Sequence, residues 1–145
     1  MTLDLRRLTD SYSVAPQIGP EDMAALKAMG FVMVIDNRPD GEIPDELQAA
    51  QMAEAARAAG LGFAVNPVTP GQFTPDLVAR QRAAVEAAAG GKVLAYCASG
   101  NRSTILWELV NAKVLPIDQM LRTAAEAGYD HAPVRPLIEA FAAKP

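Results

Sequence analysis

Phe31-Val32-Met33-Val34-Ile35 and Val93-Leu94-Ala95-Tyr96 are apolar at every position, and most of their side chains are large or β-branched. A strand with one wet face alternates apolar and polar residues, whereas a strand apolar throughout is buried on both faces. Such strands need cover above and below, and the segments around them read as the helices that give it. Gly19-Pro20-Glu21-Asp22 opens a helix, with Pro suited to the first position and two acids at the positive end of the dipole. Met23, Leu26 and Met29 form its apolar stripe and Gly30 stops it. Pro44 and Asp45 open a second helix that runs to Gly60, and Thr74 caps a third that starts at Pro75 and ends at Gly90-Gly91. A fourth runs from about Arg102 to Ala112. Pro116 starts a fifth, with Ile117, Met120, Leu121 and Ala124 at helical spacing before Gly128, and Val134, Leu137, Ile138 and Phe141 mark the last. Residues 11–15, ended by Pro16, and residues 62–68 are further strand candidates.

Strands alternating with helices predict a single α/β domain over 1–145, with about four mostly parallel strands and helices on both faces. A chain of 145 residues, half of them hydrophobic and about a fifth charged, can bury such a core. Ligands of these sheets bind beyond the carboxyl ends of the strands. Three exits are therefore expected to converge: Asn37-Arg38-Pro39-Asp40, Val68-Thr69-Pro70, and the loop after Tyr96. The last two helices read as structural cover.

A net charge of −4 speaks against a nucleic-acid or anionic-membrane footprint. No apolar run approaches the roughly 18 residues needed to span a bilayer, and residues 1–10 lack the apolar core of a signal peptide. One cysteine makes no internal disulfide, and one Cys with one His leaves too few ligands for a zinc site. The expectation is a cytoplasmic protein without metal or other cofactor.

The lone cysteine ends the strand of residues 92–96 and begins Cys97-Ala98-Ser99-Gly100-Asn101-Arg102-Ser103. If Ala98, Ser99, Gly100 and Asn101 wrap tightly, their N–H groups form an anion-binding nest, with Gly100 free to take φ > 0. The following helix adds its positive end and Arg102 adds a planar cationic fork. The same terms favour a thiolate, so Cys97 reads as an activated nucleophile. Ser103 is placed to hydrogen-bond the sulfur or a departing group. The bland alternatives are a small buried hydrophobe at Cys97 and a Ser cap at Ser99 or Ser103.

Residues 93–103 resemble the active-site loop of rhodanese-type sulfurtransferases. More broadly, the chain resembles the phosphatase-like domain family found fused to, or near, beta-lactamase-like hydrolases in bacteria. The matching stretches are Val14-Ala15-Pro16-Gln17-Ile18, Asn37-Arg38-Pro39-Asp40-Gly41-Glu42, Pro67-Val68, the cysteine loop, and Ala127-Gly128-Tyr129-Asp130. The resemblance implies a fold like that of dual-specificity phosphatases. It also implies association with sulfide and persulfide oxidation, since family members occur joined to a persulfide dioxygenase module.

Three features weigh against phosphatase chemistry. Four residues separate Cys97 from Arg102, one fewer than in the cysteine phosphatases this fold resembles. Tyr96 stands where those enzymes usually have His. Ester cleavage needs an acid for the leaving group, and residues 69–73, where those enzymes carry an Asp, hold no carboxylate. Asp76 is nearest, in the first turn of a helix. Sulfur transfer needs no such acid, and the expected function is a sulfurtransferase with a Cys97 persulfide. Its donor is a small anionic persulfide or thiosulfate and its acceptor a thiol. Ala98, where many rhodaneses are basic, makes the cup less positive and favours an organic persulfide. The alternatives are a phosphatase using Cys97 and Arg102, and a non-catalytic binding module docked on a dioxygenase. Arg38, Asp40 and Thr69 are candidates for the rim: Arg38 to add charge and Asp40 to move a proton, or both simply to build a turn. His131 reads as exposed or capping, and Trp107 as core.

Overall fold

In the computed structural model, which describes residues 3–144, the sheet has the strand order β1-β2-β5-β3-β4. The strands are β1 (Arg6–Arg7), β2 (Tyr12–Ala15), β3 (Phe31–Asp36), β4 (Gly62–Val65) and β5 (Lys92–Tyr96). β2, β5, β3 and β4 run parallel, and β1 is antiparallel to β2. The expected four strands are therefore five. The extra one is a two-residue edge of arginines, which carries no apolar pattern. Met1, Thr2 and Pro145, the ends of the expected 1–145 domain, lie outside the described residues.

β5 is central, and its side chains alternate between two cores, as the pleat requires. Val93 and Ala95 face one core and Leu94 and Tyr96 the other, all buried. The Leu94 side is closed by α1 (Met23–Ala28) and α2 (Ala49–Ala59). The Val93 side is closed by α3 (Pro75–Ala87), α4 (Asn101–Val110), α5 (Ile117–Glu126) and α6 (Arg135–Ala142). Leu106, Met120 and Ile138 are fully buried there, each contributing about 1.5–3 kcal/mol of apolar burial. Trp107 belongs to the same core. No helix among the described residues is long and apolar enough to cross a membrane.

Several boundaries differ from expectation for local reasons. The first helix begins as a single 3₁₀ turn, Pro20–Asp22, and Met29 lies beyond its end, 47% exposed rather than in the stripe. Pro44 and Asp45 open only a 3₁₀ turn, Asp45–Leu47; Gln48 is extended and regular helix starts at Ala49, whose N–H is taken by Asp40 Oδ1. β4 stops at Val65 because Asn66 turns its amide to Gln81 and the Leu77 carbonyl, and Pro67 has no N–H for a ladder. Thr74 caps α3 as expected, accepting from the Leu77 N–H.

Registry places the active end. Ala15, Tyr96, Asp36 and Val65 are level across the four parallel strands. Their exits open on the same side, and the chain that follows each is what builds the site.

Candidate active site

Cys97 follows β5 and is fully buried. Its N–H extends the ladder to the Ala15 carbonyl at 3.3 Å, and its Sγ accepts the Gly100 N–H at 3.1 Å. Gly100 has φ +91°, a conformation that glycine adopts without steric cost. A Cβ there would meet the Tyr129 hydroxyl at 2.2 Å, so two separate constraints keep this position bare. The turn is held further by Thr104 Oγ1 donating to Gly100 O at 2.8 Å and by Asn101 N–H donating to Ser99 Oγ at 3.3 Å. Ser99 Oγ thus satisfies one backbone N–H at the start of α4, whose N-cap position is Gly100. Ala98, Ser99 and Asn101 are exposed, forming the open lip of the cup.

Arg102 leaves the first turn of α4 and is buried. Its Nη1 and Nη2 each donate to one oxygen of Glu42 at 2.9 Å, and Nη1 donates also to Val68 O at 2.7 Å. Three of the five guanidinium hydrogens are therefore committed to protein. Arg102 is raised above its ordinary value, first by Glu42 and, against the cost of burial, by the neighbouring Cys97 sulfur. Glu42 sits in a 3₁₀ turn, Asp40–Glu42, where Arg38 Nε reaches it at 3.1 Å. The Arg102 hydrogen bonds, and after them Arg38, hold the Glu42 carboxyl below the usual carboxylate range despite partial burial. The three expected exits do converge: β3's supplies Glu42, β4's supplies the Val68 carbonyl, and β5's supplies Cys97.

Beneath the loop lies a buried amide network. Ser103 Oγ donates to Asn37 Oδ1 at 2.9 Å, and Asn37 Nδ2 donates to Gln81 Oε1 and Asn66 O, each at 2.9 Å. Gln81 Nε2 donates to the Tyr12 hydroxyl at 3.0 Å, which donates to Ser103 O at 3.3 Å. Ser103 is fully buried, and its hydroxyl proton goes to Asn37, bracing α4 against the β3 exit. Asp40 Oδ1 accepts the Ala49 N–H at the start of α2. Arg38 binds Glu42 and Gln17 Oε1, so its charge bears on the mouth through Glu42. Thr69 is exposed on the β4 exit, its carbonyl accepting from Gln72 N–H.

The opposite face of the sheet carries a second titratable pair at the strand ends. Asp36 and Tyr96 are in register and buried with their side chains close to each other, and among the described residues neither Asp36 Oδ2 nor the Tyr96 hydroxyl has a well-formed hydrogen bond. Burial pushes the Asp36 carboxyl up to about 6, against the pull of the Arg38 N–H. Burial, with Asp36 beside it, also pushes the Tyr96 phenol up. Tyr96, which stands where the resembling phosphatases usually have His, packs in the core on the Leu94 side of the sheet.

The segment after α5 reaches the loop twice. Tyr129 OH donates to Ser99 O at 2.8 Å. His131 is buried, not exposed, with Nε2 2.7 Å from Asn101 Oδ1 and Nδ1 2.8 Å from Glu108 Oε1. Glu108 is fully buried on α4, and burial raises its carboxyl against the opposing effect of His131. A charged residue inside the apolar run 105–110 was the available signal for a buried partner.

The arrangement presents a thiol under an N–H donor at a helix start, with a guanidinium alongside. It suits a thiolate that takes a group from an anion. Residues 69–73 contribute no carboxylate, and Glu42 is kept ionised.

The family model described as "Beta-lactamase hydrolase-like protein, phosphatase-like domain" matches residues 4–114. A Beta-lactamase hydrolase-like protein of Agrobacterium fabrum is 36% identical over 107 residues, 73% of this chain and 24% of that protein. This chain thus spans about a quarter of the length of that relative. A crystal structure of a candidate phosphatase from Neisseria meningitidis Z2491 superposes with a TM-score of 0.80 at 27% identity, covering 97% of this chain and 99% of that one. Kinase associated phosphatase, at 12% identity, shares the fold with a TM-score of 0.75 over 100% of this chain and 98% of its own.

Proposed function

This chain belongs to the phosphatase-like domain family of Beta-lactamase hydrolase-like proteins, and within that frame we propose that it is a sulfurtransferase carrying sulfane sulfur on Cys97. The observation that carries this reading is the state of the carboxylates at the mouth. Glu42 is the carboxylate on Arg102, and two guanidiniums hold it ionised; the β4 exit offers no acid. A phosphate ester needs a proton for its leaving oxygen, whereas a sulfane donor releases a thiolate or sulfite already stable as an anion.

In the transfer, Cys97 thiolate attacks the outer sulfur of a persulfide. A Cys97 S–S bond forms as the donor's S–S bond breaks, and that electron pair leaves on the donor thiolate. The Gly100 N–H and the α4 N-terminus stabilise negative charge on sulfur at both stages. An acceptor thiolate then takes the outer sulfur and returns Cys97 to the thiolate. No net oxidation occurs. A persulfide dioxygenase module is a fitting consumer of the new persulfide.

A second reading, phosphate-ester hydrolysis through a cysteinyl-phosphate, is favoured by the comparisons. The names and folds of the similar proteins are those of phosphatases and hydrolases, and they speak for this chemistry more than for sulfur transfer. Parallel assays separate the two: glutathione persulfide or thiosulfate with a thiol acceptor, and an aryl phosphate, each with wild type and Cys97→Ala. The proposal expects Cys97-dependent sulfur transfer and negligible ester hydrolysis. Cys97-dependent hydrolysis without sulfur transfer establishes the second reading, and neither activity leaves an anion-binding module.

A further inference from the structure

Tyr129 and Cys97 are joined through one peptide group. The Ser99–Gly100 peptide gives its carbonyl to the Tyr129 hydroxyl at 2.8 Å and its N–H to Cys97 Sγ at 3.1 Å. In a planar trans peptide these two groups point in opposite directions. Fixing the carbonyl toward Tyr129 therefore fixes the N–H toward the sulfur.

We propose that Tyr129 is a positioning residue for the nucleophile, holding and polarising the Ser99–Gly100 peptide so that its N–H supports the Cys97 thiolate. A hydrogen bond accepted at the carbonyl strengthens the donor at the other end of the same peptide. Three further observations agree with this role. Gly100 is left-handed and bare at the point where the hydroxyl enters; a Cβ would lie 2.2 Å from it. The Tyr129 ring is fixed by packing in the α3–α6 core and by the Arg6 guanidinium 5.1 Å from its centroid. Burial keeps the Tyr129 phenol above its ordinary value, so it stays protonated and donates. Tyr129 lies outside residues 4–114, which the family model matches.

The inference rests on Cys97 as the attacking group and holds whether sulfur or phosphoryl is taken. Its test is the ultraviolet absorbance of the Cys97 thiolate followed against pH, with a Cys97→Ser protein subtracted as background. Tyr129→Phe keeps the ring and removes only the hydroxyl. In this variant the thiolate signal develops at more alkaline pH than in wild type. Its turnover at neutral pH falls about threefold to tenfold, the worth of one hydrogen bond. Tyr129→Leu, which removes the ring as well, shows the same alkaline displacement with a further loss of thermal stability. An unchanged titration in Tyr129→Phe, or a displacement seen only in Tyr129→Leu, overturns the proposal. Failure of sulfur transfer with the titration displaced as expected strikes the functional reading and leaves this one standing.

Discussion

Arg102 and Glu42 face each other fork to fork, each terminal nitrogen 2.9 Å from one carboxylate oxygen. The pair spans 60 residues of chain and ties the β3 exit to the first turn of the helix that follows Cys97. It orients the guanidinium beside the sulfur and keeps the carboxylate from serving as an acid.

Glu42→Gln removes the charge from this fork and leaves Arg102, 9% exposed, without a counterion. The expected loss is about 1–2 kcal/mol, less than for a deep pair because Glu42 is partly wet. The sign with pH follows from the lowered Glu42 carboxyl. Its contribution is complete above the ordinary carboxylate value of about 4.3 and fades as pH falls through the lower folded value. Thermal melts should show wild type above the variant at neutral pH, with the gap closing in acid.

Asp36 has the opposite sign. Its carboxyl is raised to about 6 in the fold, against about 3.9 unfolded. The folded protein holds the proton more tightly, so stability declines as pH rises from about 4 to about 6. Asp36→Asn keeps an acceptor for the Arg38 N–H and removes the buried charge. The variant should be more stable at neutral pH, by up to about 3 kcal/mol, and equal to wild type below about pH 4. Denaturant unfolding at both ends of that range checks it.

Gly100→Ala must place a methyl at φ +91° and within 2.2 Å of the Tyr129 hydroxyl. The backbone strain alone is about 1–2 kcal/mol, and the collision adds to it. Combining it with Tyr129→Phe should recover the collision part and leave the backbone part. Melting temperatures of the two single variants and the double variant separate the terms.

His131→Phe leaves the fully buried Glu108 without its partner. Breaking a buried pair in this way costs about 3–5 kcal/mol. Adding Glu108→Gln should restore much of that, since no charge is then stranded. A double-variant cycle measured by chemical unfolding reads the coupling directly, and additive losses would contradict it.

The parallel sheet and the convergence at Cys97 were legible because both rest on local signals: apolar runs, Pro and Gly at helix ends, and a thiol between a strand and a helix. Glu42 sat inside a turn rich in ordinary turn residues, and nothing nearby marks a partner 60 residues away. Nothing in the sequence marks Asn37, Asn66 and Gln81 as partners of one another; only tertiary packing makes them one network. Met29 was drawn into a stripe by spacing, but its helix ends one residue earlier. Tyr129 and His131 follow a helix stop and look like loop residues, because their partners Ser99 and Asn101 lie 30 positions upstream. Glu108 in an apolar helix and the single histidine were the two halves of a legible pair.

Intact mass after incubation with glutathione persulfide or thiosulfate, beside a Cys97→Ala control, tests the central claim most directly. The account predicts a gain of one sulfur atom on wild type, absent from the variant and removed by a thiol acceptor. A wild-type mass unchanged by either donor, together with Cys97-dependent release of phosphate from an aryl phosphate, would contradict it.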